Sequence, residues 1–557
     1  TSLRANTIGH SNVALGNAAM YTNTTGNNNV AVGAYALYQN TTGIDNVALG
    51  RSAVACNTVG YQNVGIGLES LKSNTTGFDN VSLGYKALTG NTTGRFNVGI
   101  GTEAGLSNTT GSANVILGQC SFRNSSVGSS NVVIGHQAMH AGSGTIENNV
   151  AIGTAAMYCG SNGAGNVAIG RDSGKCLHGG QNNVMVGYQT GRCITSGCSN
   201  VLMGEGAASQ ITTGCNNVAL GLEAMQLLTT GCSNVAVGFK SLKALTTAGC
   251  NVAIGYQAMC KNTSGTRNVA LGYEAGFCNT TGINNVYLGE CAGYGGSGGT
   301  TGEKIVAVGK GAGKCLTSGG NNVFIGHQAG ESVSTGQRNV AVGSDSFGSM
   351  QTGDYNTVIG NGAGGNLTGS YTVLIGSGAG AQSIDEGLLA IGADAGSQLT
   401  SGDNGNTIIG NYAGREAAGG DNLTVVGREA GRKMGIGGDV FNNTVVGAYA
   451  LCLSCSASQI TVVGAEAARN NTTGSKLSAL GSNALGNNTT GFANTAIGAH
   501  SMCSNTTGSH NVSVGACSLK SNITGCRNIG LGNSSLCENT TGNDNIAIGN
   551  ESLKANT

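Results

Sequence analysis

The chain has 557 residues, and its 26 basic and 26 acidic side chains leave no net charge. That balance removes the electrostatic footprint of a nucleic-acid binder and argues against anchoring to an acidic membrane surface. No apolar run reaches the ~18–20 residues of a membrane-spanning helix, so no membrane span is expected. With 99 glycines and no proline, the aliphatic residues are nevertheless strictly placed, which argues for order.

The first element, Asn12-Val13-Ala14-Leu15-Gly16, returns along the whole sequence and stands undisguised at Asn251-Val252-Ala253-Ile254-Gly255. Registered on the last glycine, the copies end at Gly16, Gly33, Gly50 and onward to Gly135, then from Gly153 to Gly549. There are thirty-two, and twenty-five of the thirty-one intervals are 17 residues long. A fixed short period predicts a solenoid, which grows by adding coils rather than cores. Helices are excluded by the two-residue spacing of the apolar positions and by the recurring glycines.

One coil runs from Gly16 to Gly33. The residue before each core glycine is aliphatic, and two residues earlier stands Val, or Thr in later copies such as Thr357, Thr407 and Thr444. Residues two apart in a strand share a face. We expect this pair to point into the coil and the residue between them to point out. That middle residue is Ala, Gly or Ser in many copies (Ala31, Ala48, Gly65, Ser82, Gly99), which suggests burial against another chain or another layer. Ala, Ser or Thr follows three residues after the glycine, often with Leu37, Leu71, Met157 or Met259 next, and predicts a second short strand. One coil buries about three aliphatic side chains, worth ~1.5–3 kcal/mol each. Ordering 17 backbones costs at least ~1 kcal/mol per residue, so coils must stack to fold.

The expected architecture is all-β: a parallel β-solenoid or β-roll of about thirty-two coils over residues 1–557, forming a long rod. The first and last segments share one register, as in a window cut from a longer repetitive protein. Longer intervals place lateral insertions near 293–305 and 431–443, with the glycine-rich stretches Gly295 to Gly299 and Gly435 to Gly438. From Gly276 to Gly431 the Leu/Met position is mostly Gly, which predicts thinner or differently packed coils.

The Asn-Val-Ala-Ile-Gly-x-x-Ala pattern resembles the head repeats of trimeric autotransporter adhesins, and is similar to repetitive tail-fibre-like proteins in which Asn-Thr-Thr-Gly alternates with such strands. The resemblance implies left-handed parallel β-rolls associating as three chains, at a cell or virion surface. Two functions are expected from it: a structural, self-associating extracellular fibre, or an adhesin binding a host surface or glycan through lateral loops. A homotrimer, a helical polymer and a single-chain solenoid all remain open.

Two residue types invite chemistry. Cys159, Cys176 and Cys193 are spaced by 17, as are Cys198, Cys215 and Cys232. Equivalent positions on stacked coils lie ~4.8 Å apart, inside the Cα range of a disulfide, so these are disulfide staples or buried free thiols. Sequons recur at one register, at Asn23, Asn40, Asn74, Asn91, Asn108, Asn262, Asn279, Asn471, Asn488, Asn505, Asn522 and Asn539. They are glycan acceptors on an exposed turn, or turn chemistry alone. Cys452-x-x-Cys455 has no second pair beside it, and Gly309 to Lys314 lacks phosphate-loop spacing. His136, His327 and His500 fall at a variable polar position. No nucleophile–base set is present in the sequence pattern, so neither an enzyme nor a cofactor or metal is expected.

Overall fold

The computed structural model describes residues 2–142, 144–349, 351–384, 386–399, 405–436 and 440–556. It is all-β, with thirty-two strands of three residues, β1 to β32 in chain order, and no helix among the described residues. The chain divides into two compact units, Thr1–Thr281 and Gly282–Thr557.

In the first unit β1 (Val13–Leu15) pairs with β2 (Val30–Val32), β2 with β3 (Val47–Leu49), and so on to β16 (Val269–Leu271), always parallel. Register is strict: Val13 lies opposite Val30, Ala14 opposite Ala31 and Leu15 opposite Val32. The second unit repeats the arrangement from β17 (Val286–Leu288) to β32 (Ile546–Ile548). Changes of coil length do not disturb it. Val286 pairs with Val306 and Thr424 with Thr444 across the long intervals, and Thr357 with Val373 across a short one. Each unit is thus a parallel β-solenoid with one strand per coil. Sixteen strands at ~4.8 Å make a stack roughly 70 Å long.

Hydrogen bonds between coils continue outside the strands. Leu37 N–H donates to Ala53 O (3.1 Å), Gln39 to Ala55 O (2.8 Å) and Thr41 to Thr58 O (3.0 Å). The segment expected as a second strand is therefore laddered, but it is not a strand. Tyr35 and Leu37 stand at φ 61° and 47°, left-handed values that bend the chain tightly, so this side of the coil is a chain of turns. The strand-ending glycine is required by stacking: Gly33 has φ 136°, and a Cβ there would sit 2.5 Å from Gly50 O.

The strand's inner and outer faces are the reverse of those expected. The middle residues Ala31, Ala48, Ala253 and Ala270 are fully buried inside the coil, and the flanking aliphatics point out. The cause is the asparagine that precedes most of the strands. Asn46 is fully buried and its amide nitrogen donates to Asn29 Oδ1 (3.1 Å) and Gly60 O (2.9 Å). With Asn46 locked inside, alternation sends Val47 out, Ala48 in and Leu49 out. Ala36, Leu37 and Asn40 complete this interior. Small middle residues reflect a thin coil rather than a close approach of chains.

The coils from Gly276 to Gly431 are packed differently, not thinned. In six coils where Gly replaces Leu or Met, a large side chain enters from the strand: Tyr287, Phe324, Val358, Leu374, Ile408 and Val425 are all fully buried; the coils of Ala270, Ala307 and Ala390 keep alanine there. A Cβ on Gly330 would lie 2.5 Å from Phe324 Cδ1. In those six coils volume is exchanged between two registers. The insertion near 293–305 is a small bulge closed by Gly299 N–H to Gly296 O (3.0 Å). Ser297, Gly298, Thr301 and Lys304 are exposed on it, and Thr300 and Ile305 are back in the core. Of the insertion near 431–443, Met434 and Val440 are core residues and Ile436 is exposed. Its Gly437 and Gly438 lie outside the described residues.

Candidate functional site

The outward strand positions form the dominant surface feature. In the first unit every strand opens with Val and closes with Val, Leu, Ile or Met. These side chains run in two parallel files along the stack, all at least partly exposed, with Leu83 (44%), Met203 (43%) and Leu271 (44%) among the most open. In the second unit the closing file stays aliphatic. The opening file changes to hydroxyl residues over Thr407, Thr424, Thr444, Thr461, Ser478 and Thr495. Aromatic rings border the first unit's face: Phe239, Tyr256 and Tyr273 stack in succession with centroids 5.1 Å apart. Two carboxylates of this unit are paired to lysines. Glu69 meets Lys72 (2.9 Å) and Glu223 meets Lys243 (2.9 Å), and these lysine hydrogen bonds hold both carboxyls below their usual range.

The sequon asparagines are inside, not on an exposed turn. Asn23, Asn40, Asn74, Asn91, Asn108, Asn262, Asn279, Asn471, Asn488, Asn505, Asn522 and Asn539 are all fully buried. Asn40 shows why: its Nδ2 donates to Asn23 Oδ1 (2.7 Å) and to Gly43 O (3.0 Å). The nitrogen that would carry a glycan is the ladder donor. The ladder is interrupted at Asn91 and Asn108, whose Oδ1 atoms have no partner, where Ser125 takes the asparagine's place. Thr42, by contrast, is exposed on the same turn.

All nineteen cysteines are free thiols. The six column members stand where the spacing put them, in consecutive coils. Cys159 N–H donates to Lys175 O (2.9 Å), Cys176 N–H to Arg192 O (3.0 Å) and Cys193 N–H to Ser209 O (3.0 Å). In the other column Cys215 Sγ accepts from Cys198 N–H and Cys232 Sγ from Cys215 N–H, each at 3.2 Å. Ser112 and Ser129 do the same with Oγ elsewhere. None of the six forms a disulfide in this structure. In-register stacking keeps the Cβ atoms near the ~4.8 Å strand spacing, beyond the ~3.5–4.5 Å of a disulfide. Burial raises the thiol pKa of Cys176 and Cys215.

Elsewhere chemistry is sparse. His136, His327 and His500 are exposed. Lys310 and Lys314 of the glycine-rich segment pair with Glu290 and Glu331 (3.1 Å each). Cys452 is buried and Cys455 half-buried. Among the described residues no group of three or more His, Cys, Asp or Glu converges as a metal site, and no helix is long and apolar enough to cross a membrane. An open cleft of about 580 Å³ beside the second insertion is lined by Gln398, Arg415, Glu416, Ala418, Arg432 and Ile436. Its charges are largely satisfied, Arg432 by Glu416 (2.9 Å) and Glu429 (3.3 Å), and Arg415 more loosely by Asp394 (3.7 Å).

These features define a class: tandem-repeat parallel β-solenoids with an asparagine-laddered interior and one aliphatic outer face. Comparison with protein-family models, with curated proteins and with solved structures gives no match.

Proposed function

We propose that this chain is a structural component of an extracellular fibre or filament, a repetitive scaffold without catalytic activity that self-associates through its aliphatic face. The observation that carries the reading is the file of half-exposed Val, Ile and Leu side chains along each unit. Soluble monomers rarely leave apolar patches of more than a few hundred Å² uncovered. A face of in-register strands, free of charge, is well matched to another copy of itself. The assembly we favour is a homotrimer of parallel copies whose faces turn to a common axis, with a helical polymer as the alternative.

Light scattering on the full chain tests this. Three chains per particle are expected. Placing Asp at outward positions along both units (Ile66→Asp, Ile152→Asp, Ile254→Asp, Ile325→Asp, Ile409→Asp, Ile497→Asp) should reduce the particle to one chain of 55.0 kDa with its β signal retained. A wild-type chain that stays at 55.0 kDa at every concentration refutes self-association.

The second reading is adhesion to a host surface or glycan. The cleft beside the second insertion favours it, because its planar amide, guanidinium and carboxylate groups suit sugar hydroxyls. Glycan-array binding that is lost in Arg432→Ala would support it, and an array with no signal would remove it.

A further inference from the structure

We propose that the two cysteine columns bind soft monovalent d10 cations of the Cu(I) class, each ion held linearly between the thiolates of adjacent coils. Only these two registers place cysteine in three consecutive coils: Cys159, Cys176 and Cys193, and Cys198, Cys215 and Cys232. The ladder hydrogen bonds fix each column in stacked register. That register separates equivalent atoms by ~4.8 Å. The gap is too wide for a sulfur–sulfur bond of ~2.05 Å. It is close to the span of a sulfur–metal–sulfur unit, about 4.6 Å with the zinc–thiolate bond of about 2.3 Å taken as an upper guide.

The donor set selects the ion. Thiolates prefer soft cations such as Cu(I) over hard ones. A tetrahedral ion such as zinc needs further donors on the same point, and among the described residues no three His, Cys, Asp or Glu converge on one. Two-coordinate binding is what a single file of thiols offers. The first column also has an approach: an open cavity of about 400 Å³ is lined by Cys193, Arg192, Gln189, Ser209, Gln210 and Thr212. Arg192 makes no ion pair among the described residues, and its carbonyl accepts from Cys176. Its guanidinium is available to the anionic product.

The step balances without redox chemistry. Three S–H bonds break, and the three protons leave to the buffer. Two cations form four S–metal bonds, the middle thiolate bridging both, and the filled column carries one negative charge.

The test is a Cu(I) titration of the full, reduced chain without oxygen, with bound ions counted by native mass spectrometry. Position within the column is the discriminating variable. Cys159→Ser should lose one ion. Cys176→Ser should lose two, because the remaining thiols stand two coils, roughly 10 Å, apart. Cys198→Ser and Cys215→Ser should repeat the pattern in the other column. Serine already occupies these registers at Ser73, Ser107, Ser112 and Ser129, and an unchanged β signal checks each fold. The other cysteines contribute the same background throughout. Equal losses at middle and end positions, or no loss at either, would overturn the proposal. So would X-ray absorption showing three or more sulfurs around each column-bound ion, compared between wild type and the middle-position variants.

Discussion

Replacing Asn63 by Ala should loosen the first unit locally, and the size of the effect follows from its hydrogen bonds. Asn63 is fully buried. Its Nδ2 donates to Asn46 Oδ1 (3.1 Å) and Gly77 O (2.9 Å), and its Oδ1 accepts from Asn80 N–H (3.2 Å) and Asn80 Nδ2 (3.0 Å). After truncation most partners keep a second contact. Gly77 O still accepts from Asn74, Asn46 Oδ1 from the Asn63 backbone, and Asn80 Nδ2 still donates to Gly94 O. The Asn80 N–H is left stranded. One orphaned buried donor costs ~1–3 kcal/mol, and the emptied volume adds to it, for a total of about 3 kcal/mol. Asn63→Leu should cost much less, because burying Leu returns ~1.5–3 kcal/mol. The second unit already carries Leu423, Ile460 and Leu477 at this register, all buried. In a solenoid the damage stays with neighbouring coils, so hydrogen exchange of the amides in β4 (Val64–Ile66) and β5 (Val81–Leu83) is the right assay. Exchange should quicken roughly a hundredfold in the Ala variant. Unchanged exchange, or Leu as damaging as Ala, would refute the assignment of the ladder as a stabilising element.

Tyr287 is fully buried with no partner for its hydroxyl, so Tyr287→Phe should raise the second unit's resistance to denaturant by about 1 kcal/mol. Burial also pushes the Tyr287 phenol above its usual pKa. The stability tied to its neutral form is therefore complete below about pH 10 and is lost as pH rises through the folded-state value; the Phe variant should lack that alkaline loss. Gly330→Leu should destabilise by ~1–3 kcal/mol through collision with Phe324. Adding Phe324→Ala should recover most of it by rebuilding the Leu-over-Ala core of the first unit, and a melting comparison of the three variants reads the coupling. Expressed in a glycosylating host, the folded chain should carry no glycan at the twelve sequon asparagines, which intact mass will report.

The period, the parallel stacking and the need for glycine at each strand end were legible because all three follow from spacing. The faces of the strand were not. Alternation has two phases, and hydrophobicity alone selects the one that hides Val and Ile. The decisive clue was Asn46 and its equivalents, a polar residue locked inside by its own ladder, which fixes the opposite phase. The sequons misled for the same reason, since the amide that reads as an acceptor site is a core donor. The cysteine columns were placed correctly, but a Cα separation says nothing of parallel Cβ vectors, and those decide between a disulfide and a file of thiols. The second unit's compensation of Gly330 by Phe324 lay in the sequence too, spread over two registers that no single column reveals.

The asparagine ladder has a direction. Asn29 donates through N–H and Nδ2 to Asn12 Oδ1, and Asn46 in turn to Asn29. In these asparagine-to-asparagine links the acceptor belongs to the earlier coil and the donors to the later one, while Nδ2 also reaches forward to a glycine carbonyl, as from Asn29 to Gly43 O and from Asn46 to Gly60 O. A finished coil therefore holds out an oriented amide that the next one can grip as it emerges from synthesis. Within a unit, the rim facing the growing end works as a mould, and the coil cast on it becomes the next mould. Assembly on such a rim would advance like a crystal step, one row at a time. Where Leu423 or Ile460 stands in the asparagine's place, that row is cast by shape alone.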